Sequence, residues 1–390
     1  MKKDSVAAVE QCENDSACGH DTARTGQSIV IKVGTSTLTC GGHKLNQAHM
    51  LEIVRVIAQL RALGHKVTLV SSGAMAAGRE HFAKASSLPP LLSSKQLLAS
   101  VGQLSLIKIW ESLFSIYEIP IGQILLTRAD LENRERFLNA RDALFALIEN
   151  DIVPIINEND AVSTTEIKVG DNDTLAAITA CAIEADKVIL LTDQKGLYDS
   201  DPRSNPEAKL LHEVTTIDKS IYELAGGSGT SLGTGGMATK VRAADIATKG
   251  GVDLIIAAGK DPSIILELIQ GQGEGAFFKT KQTHMELRKV WLSSTTKPAG
   301  RIYVDAGAAK ALVERGSSLL PSGIKAVEGD FIRGSIVEIC DADKQGLAKG
   351  IVRYNSLECE LIKGHKSQDI EELLGFSHGV VMHRNDLVLL

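Results

Sequence analysis

At 390 residues, with 44% hydrophobic and 23% charged side chains, the chain is too apolar to be mostly disordered and long enough for two domains, or three, at about 150 residues each. Its net charge of −6 argues against a general nucleic-acid-coating role, which needs a positive footprint, and no apolar run approaches the roughly 18 residues of a membrane span. Aromatics are only 4%, so Leu, Ile, Val and Ala must fill the core. Residues 1–27 lack periodicity and read as a mobile tail; their two lysines precede no apolar segment, which argues against a signal or transit peptide. The six cysteines, at 12, 18, 40, 181, 340 and 359, have no zinc-site spacing and read as free thiols in a reducing cytoplasm.

From Ser28 the pattern changes. Apolar runs at 29–33, 66–70, 121–126, 151–157, 187–192 and 252–258 read as strands. Helical spacing at 45–64, 94–116, 134–150, 173–185, 235–251 and 261–270 separates or follows them. Nearly continuous aliphatic strands alternating with helices predict an αβα sandwich around a mainly parallel sheet over 28–278. The stretch 279–298 turns basic and polar, with five Lys/Arg against one Glu up to 297, and reads as a linker, with room for one helix. Short strand-like pieces follow at 301–305, 335–340, 348–354 and 380–390, with a helical piece at 308–316, so 299–390 reads as a small, mostly β domain.

In a parallel sheet, ligands bind at the carboxyl ends of the strands, which directs attention to Lys32-Val33-Gly34, Ser71-Ser72-Gly73, Asn157–Asp160 and Thr192-Asp193. The strongest single signal is the glycine-rich segment 226–240, whose backbone N–H groups suit an anion, with the positive end of the next helix aimed at the same place. Lys240 lies about one turn into that helix. The segment lacks the Gly-Lys-Ser/Thr of a Walker A loop. Gly233, Gly235 and Ala238 fit a loose dinucleotide fingerprint, but they follow a loop, so a Rossmann site is poorly supported. Lys32 interrupts an apolar strand, where it either meets an anion or snorkels to water. Asn157-Glu158-Asn159-Asp160 and Gly170-Asp171-Asn172-Asp173 bring amides and carboxylates suited to an α-amino group, to lysines or to Mg2+, although Asn172 or Asp173 also stands where a helix N-cap would. Ser71, Ser72 and Gly73 offer donors for a carboxylate, or form an ordinary strand–helix turn. No histidine occurs in these strand-end motifs. Phosphoryl transfer to a carboxylate needs no base, because the nucleophile is already ionised.

IVIKVGTSTLT, VTLVSSGAMAAGRE, KQLLASVGQ, LLTRADLENRERFLNARD, PIINENDAVST, EIKVGDNDTLAA, ILLTDQKGLYDSDPRSNP and GTGGMATKVRAADIA, spread almost continuously over 29–278, resemble the glutamate 5-kinase family. ERGSSLLPSGIKAVEGDFIRGSIVEI resembles the PUA domain that follows the kinase in many bacterial members. The resemblance implies the amino-acid kinase fold and ATP-dependent phosphorylation of the γ-carboxylate of L-glutamate, the first step of proline synthesis. It implies that Lys32 and Lys240 neutralise the transferred phosphoryl group and that Asp173 orients them. It further implies that Ser72, Gly73, Asn157, Asp160 and Asn172 bind glutamate. Lys32, Thr192, Asp193, Thr234, Gly235, Gly236, Met237, Ala238, Thr239 and Lys240 line the ATP site on the same grounds. None of these positions departs from the family pattern. Mg2+, carried mainly by the ATP phosphates, restraint by proline, a homo-oligomer and contact with glutamate-5-semialdehyde dehydrogenase are further implications.

Aspartate or N-acetylglutamate as substrate is the neighbouring alternative on the same fold. RNA binding through the C-terminal domain is disfavoured by its balance of 11 Lys/Arg against 13 Asp/Glu. That domain could equally support assembly or regulation.

Overall fold

The computed structural model describes residues 26–163, 172–202, 204–226, 236–282 and 298–390. The expected tail up to residue 25, Gly170 and Asp171, most of the glycine-rich segment with Thr234 and Gly235, and the greater part of the expected linker lie outside them.

Within the described residues the chain runs β1 (Ser28–Val33), α1 (Thr35–Leu38), α2 (Gln47–Ala62), β2 (Lys66–Ser71), α3 (Ala74–His81), α4 (Leu92–Ser115), β3 (Ile121–Leu126), α5 (Arg128–Glu132), α6 (Arg134–Glu149), β4 (Val153–Glu158), α7 (Asn172–Ala182), β5 (Lys187–Thr192), β6 (Glu213–Val214), α8 (Lys219–Leu224), α9 (Met237–Lys249), β7 (Asp253–Ala258), α10 (Ile264–Leu268) and β8 (Gly275–Phe278). These strands form one eight-stranded sheet in the order β3-β4-β2-β1-β5-β7-β8-β6. Pairing is parallel except between β7 and β8. The aliphatic runs are continuous because both faces of the sheet are covered. Strand alternation sends Ile29, Ile31 and Val33 into a core with α2, α4 and α10, and Val30 into a second core with α6, α7 and α9. Lys32 shares its face with Val30, so its side chain points toward α7 and α9.

By length and composition α4 could cross a membrane, at 24 residues with an 18-residue window of mean hydropathy 1.2, which corrects the expectation that no segment approaches a span. The helix instead puts Leu98, Leu106, Trp110 and Phe114 into the protein core. It also lies against α3. A Cβ built on Gly102 would stand 1.7 Å from the Ala74 carbonyl oxygen, so only glycine lets the two backbones approach this closely.

The chain then forms β9 (Gly300–Val304), α11 (Ala306–Arg315), β10 (Ile324–Glu328), β11 (Ile336–Cys340), β12 (Gly346–Ile351), α12 (Ser356–Ile362), α13 (Ile370–Leu374) and β13 (Leu387–Leu389). The second sheet has the order β10-β9-β11-β12-β13. The strand expected over 380–390 is mostly not one. Met382 makes only an isolated bridge to Leu319, and a 3-10 turn at Arg384–Asp386, capped by the His383 side chain, redirects the chain before three residues pair with β12.

Candidate active site

Lys32 is the fifth residue of β1, Asp173 the second of α7 and Lys240 the fourth of α9. The fold brings them together at the carboxyl end of the sheet. Lys32 Nζ pairs with Asp173 Oδ1, and Lys240 Nζ donates to Asp173 Oδ2 at 2.9 Å. All three are buried, with relative exposures of 6%, 0% and 5% for Lys32, Asp173 and Lys240. Burial pushes the Asp173 carboxyl up, but the charges and hydrogen bonds of Lys32 and Lys240 outweigh it and hold the group down at about 2. Asp173 is therefore an anion at neutral pH, engaged by the lysines rather than capping its helix. Thr239 Oγ1 approaches the same carboxylate at 3.3 Å and donates to the Gly236 carbonyl at 2.7 Å. The first turns of α7 and α9 add the positive ends of two helix dipoles.

A second network begins one residue earlier. Asn172 Nδ2 donates to Ser72 Oγ at 2.7 Å and to Asn157 Oδ1 at 3.0 Å. Asn157, at the end of β4, donates through Nδ2 to Gln103 Oε1 of α4 at 2.8 Å. Its Oδ1 also accepts from the Glu158 backbone at 2.9 Å. Asn172 Oδ1 is a buried acceptor with no hydrogen-bond partner among the described residues. The Ser72 backbone N–H donates to the Val33 carbonyl at 3.1 Å, fastening this network to β1. Gly73 follows with φ +105°, a left-handed turn into α3. Ser71 is turned away: its hydroxyl is buried, donates to the Ser72 carbonyl and accepts from Trp110 Nε1 at 2.9 Å.

Asp160 lines a cleft of about 300 Å³ between α4 and the ends of β3 and β4, together with Glu158, Asn159, Gln103 and Leu104. Burial, and secondly the Glu158 charge, push the Asp160 carboxyl up to about 6. Thr192 ends β5 beside β1, with its hydroxyl on Asp193 Oδ1 at 2.9 Å. Gly236 caps α9, and Met237 and Ala238 form its first turn beside Thr239. Asn172 and Asp173, adjacent in sequence, thus join the amide network to the lysine pair.

The amino acid kinase family model matches residues 27–258, and the PUA domain model matches 300–374. Glutamate 5-kinases from Escherichia coli O1:K1 and from Shigella boydii serotype 18 are each 54% identical over 363 residues, which is 93% of this chain and 98% of theirs. The chain belongs to the glutamate 5-kinase family. Among solved structures, a carbamate kinase from Giardia lamblia bound to AMP-PNP covers 66% of the chain and 100% of its own length, at 16% identity and a TM-score of 0.48.

Trp110 lies outside the motifs quoted above, and Gln103, although it closes the KQLLASVGQ motif, has no role assigned to it by the sequence. Their contacts come from α4, which is remote in sequence from each partner, so the motif marks Gln103 without saying what it touches. Thr239, expected on the nucleotide, has its hydroxyl near Asp173 Oδ2 and on the Gly236 carbonyl, within the first turn of α9.

Proposed function

We propose that the Lys32–Asp173–Lys240 cluster and the adjoining amide network carry out the ATP-dependent phosphorylation of the γ-carboxylate of L-glutamate, giving L-glutamyl 5-phosphate. The observation that carries this is the first turn of α7. Asn172 is built into a pocket of neutral amides and a hydroxyl, while Asp173 anchors two buried ammonium groups. The Asn172 Oδ1 acceptor and the Asp160 carboxylate receive the substrate α-ammonium. Ser72 Oγ and the Gly73 turn at the head of α3 receive its α-carboxylate, and Asn157 holds Asn172 in place. The γ-carboxylate, ionised above a pKa of about 4.3, then faces the lysines. Its oxygen bonds to the γ-phosphorus as the bond to the ADP oxygen breaks. Lys32 and Lys240 neutralise the charge that spreads over the transferred group, and no base is required. Asp173 keeps both ammonium groups in place and is not offered to a metal, since each of its oxygens meets a lysine. Mg2+ enters with ATP. Thr192, Asp193 and the segment Thr234–Lys240 line the nucleotide.

The same reading takes 28–278 as the kinase unit and 299–390 as an appended PUA unit, with proline competing for the amino-acid end of the site. A cytoplasmic location suits the free thiols of Cys40, Cys181, Cys340 and Cys359. A homo-oligomer suits α4, where Leu97, Val101 and Leu104 are exposed at 38%, 39% and 60% at helical spacing. Contact with glutamate-5-semialdehyde dehydrogenase would shelter a labile acyl phosphate.

Trapping the product with hydroxylamine in the presence of ATP and Mg2+ tests this. Glutamyl hydroxamate is expected from L-glutamate, with little from L-aspartate or N-acetyl-L-glutamate, and less when proline is added. Turnover of either alternative in place of glutamate would void the substrate residues. Glutamate turnover indifferent to proline would remove the inhibitor alone.

A further inference from the structure

We infer that Gln103, from the middle of α4, is a positioning residue that, together with the Glu158 backbone N–H, holds the Asn157 amide with its oxygen toward Asn172, and through it sets the acceptor offered to the substrate ammonium. An asparagine amide can be turned over, exchanging donor for acceptor, unless its surroundings choose. Asn157 is 2% exposed, so its amide must find protein partners. Its Oδ1 accepts from Asn172 and from the Glu158 backbone, and its Nδ2 donates to Gln103 Oε1 at 2.8 Å. In this orientation the two donor positions of Asn172 Nδ2 go to Asn157 and Ser72. Asn172 Oδ1 is then the acceptor turned toward the ligand, buried and without a hydrogen-bond partner among the described residues. Turned over, Asn157 would set its NH2 against that of Asn172 and against the Glu158 N–H. Without an acceptor at position 103, the productive orientation strands the buried Asn157 Nδ2, and neither orientation satisfies the network.

The backbone of α4 is rigid enough for this task. Gly102, next to Gln103, abuts α3 at the Ala74 carbonyl. Trp110, two turns further along the same helix, donates to Ser71 on β2. Gln103 pairs with neither lysine nor Asp173, so its effect should fall on amino-acid binding and spare the phosphoryl end of the site.

The inference rests on the proposal that Asn157 and Asn172 hold glutamate, and a double-mutant cycle separates the two. Gln103→Met keeps the length of the side chain without its acceptor. It is expected to raise the KM for glutamate on the order of tenfold, as for a buried donor left unpaired, while kcat and the KM for ATP stay within about threefold, which also reports an intact fold. Gln103→Ala carries the same expectation should the methionine pack poorly. Asn157→Ala is expected to raise the glutamate KM at least as much, and Gln103→Met/Asn157→Ala to match Asn157→Ala within about twofold, because Gln103 acts through Asn157. Multiplying effects in the double variant, or a parental glutamate KM in both Gln103 variants, would overturn the role of Gln103 alone. A parental glutamate KM in Asn157→Ala would overturn the substrate reading and this inference with it.

Discussion

Two buried lysines on one carboxylate leave, counting these three groups alone, one positive charge in excess, a state that a protein interior tolerates where an anion arrives to complete it. Truncating either lysine removes charge stabilisation from the transferred phosphoryl group while leaving the amide network intact. Lys32→Ala and Lys240→Ala are each expected to lower kcat by about 10²-fold with a smaller change in the glutamate KM, measured by steady-state kinetics; near-parental kcat would remove that lysine from the mechanism. Asp160 gives the site a pH dependence of its own. Its carboxyl is raised to about 6 by burial and by Glu158, so it is anionic above that pH and neutral below, and only the anion pairs with an ammonium. The kcat/KM for glutamate should therefore fall as pH drops through about 6, well above the titration of the substrate γ-carboxyl at about 4.3. Asp160→Asn should lower kcat/KM at pH 7.5 and abolish the inflection; a profile that keeps its break in the variant assigns the titration elsewhere. The lysines were legible in the sequence because charge in an apolar strand and charge behind a glycine-rich loop both demand a reason. Gln103 was legible only as the last residue of the KQLLASVGQ motif, and its role was not, because its partner lies 54 residues away.

At the scale of elements, the buried strands were legible because their aliphatic runs are bounded by turns, and β3 and β5 occupy the expected residues. What sequence reading lacked was tertiary. α3, AMAAGREH, spans only 8 residues, too few for a helical period to declare itself, and its place is set by close backbone packing on α4. The end of the chain looked like one long strand because Val380, Val381 and Met382 are apolar, yet Val381 and Met382 serve the core beneath the second sheet. Gly73 shows how tightly the substrate turn is built. Its φ of +105° is costly for any other residue, and an added Cβ would stand 3.1 Å from Leu38 and 3.3 Å from Leu45. Gly73→Ala is expected to cost about 1–3 kcal/mol of stability in urea unfolding and to raise the glutamate KM through the displaced Ser72. Parental values of both would show that the turn relaxes freely.

The two sheets are joined through α6. From the second unit Arg333 reaches Asn139 and, at 2.5 Å, Asp142. Arg141 Nη2 lies 3.5 Å from Asp386 Oδ2, which Arg353 Nη2 also approaches at 3.7 Å. Gly334 packs so closely on α6 that a Cβ there would stand 2.6 Å from Leu138. Arg141 and Asp386 are each under a tenth exposed, so this joint is buried rather than a surface contact. α6 also packs against β4, the strand whose far end carries Asn157. Removing one partner of a buried ion pair costs more than the pair contributes, because the other charge stays desolvated. Asp386→Ala leaves both Arg141 and Arg353 without that carboxylate and is expected to destabilise the docked C-terminal unit by about 3 kcal/mol, seen by calorimetry as an earlier transition separated from that of the first sheet. Arg141→Met/Asp386→Leu, which removes the buried Arg141–Asp386 pair and leaves only the more exposed Arg353 without that carboxylate, should recover part of the loss. If Asp386→Ala melted like the parent, the arginines would have found water, and the joint would be held by the close packing at Gly334 and by Arg333 instead.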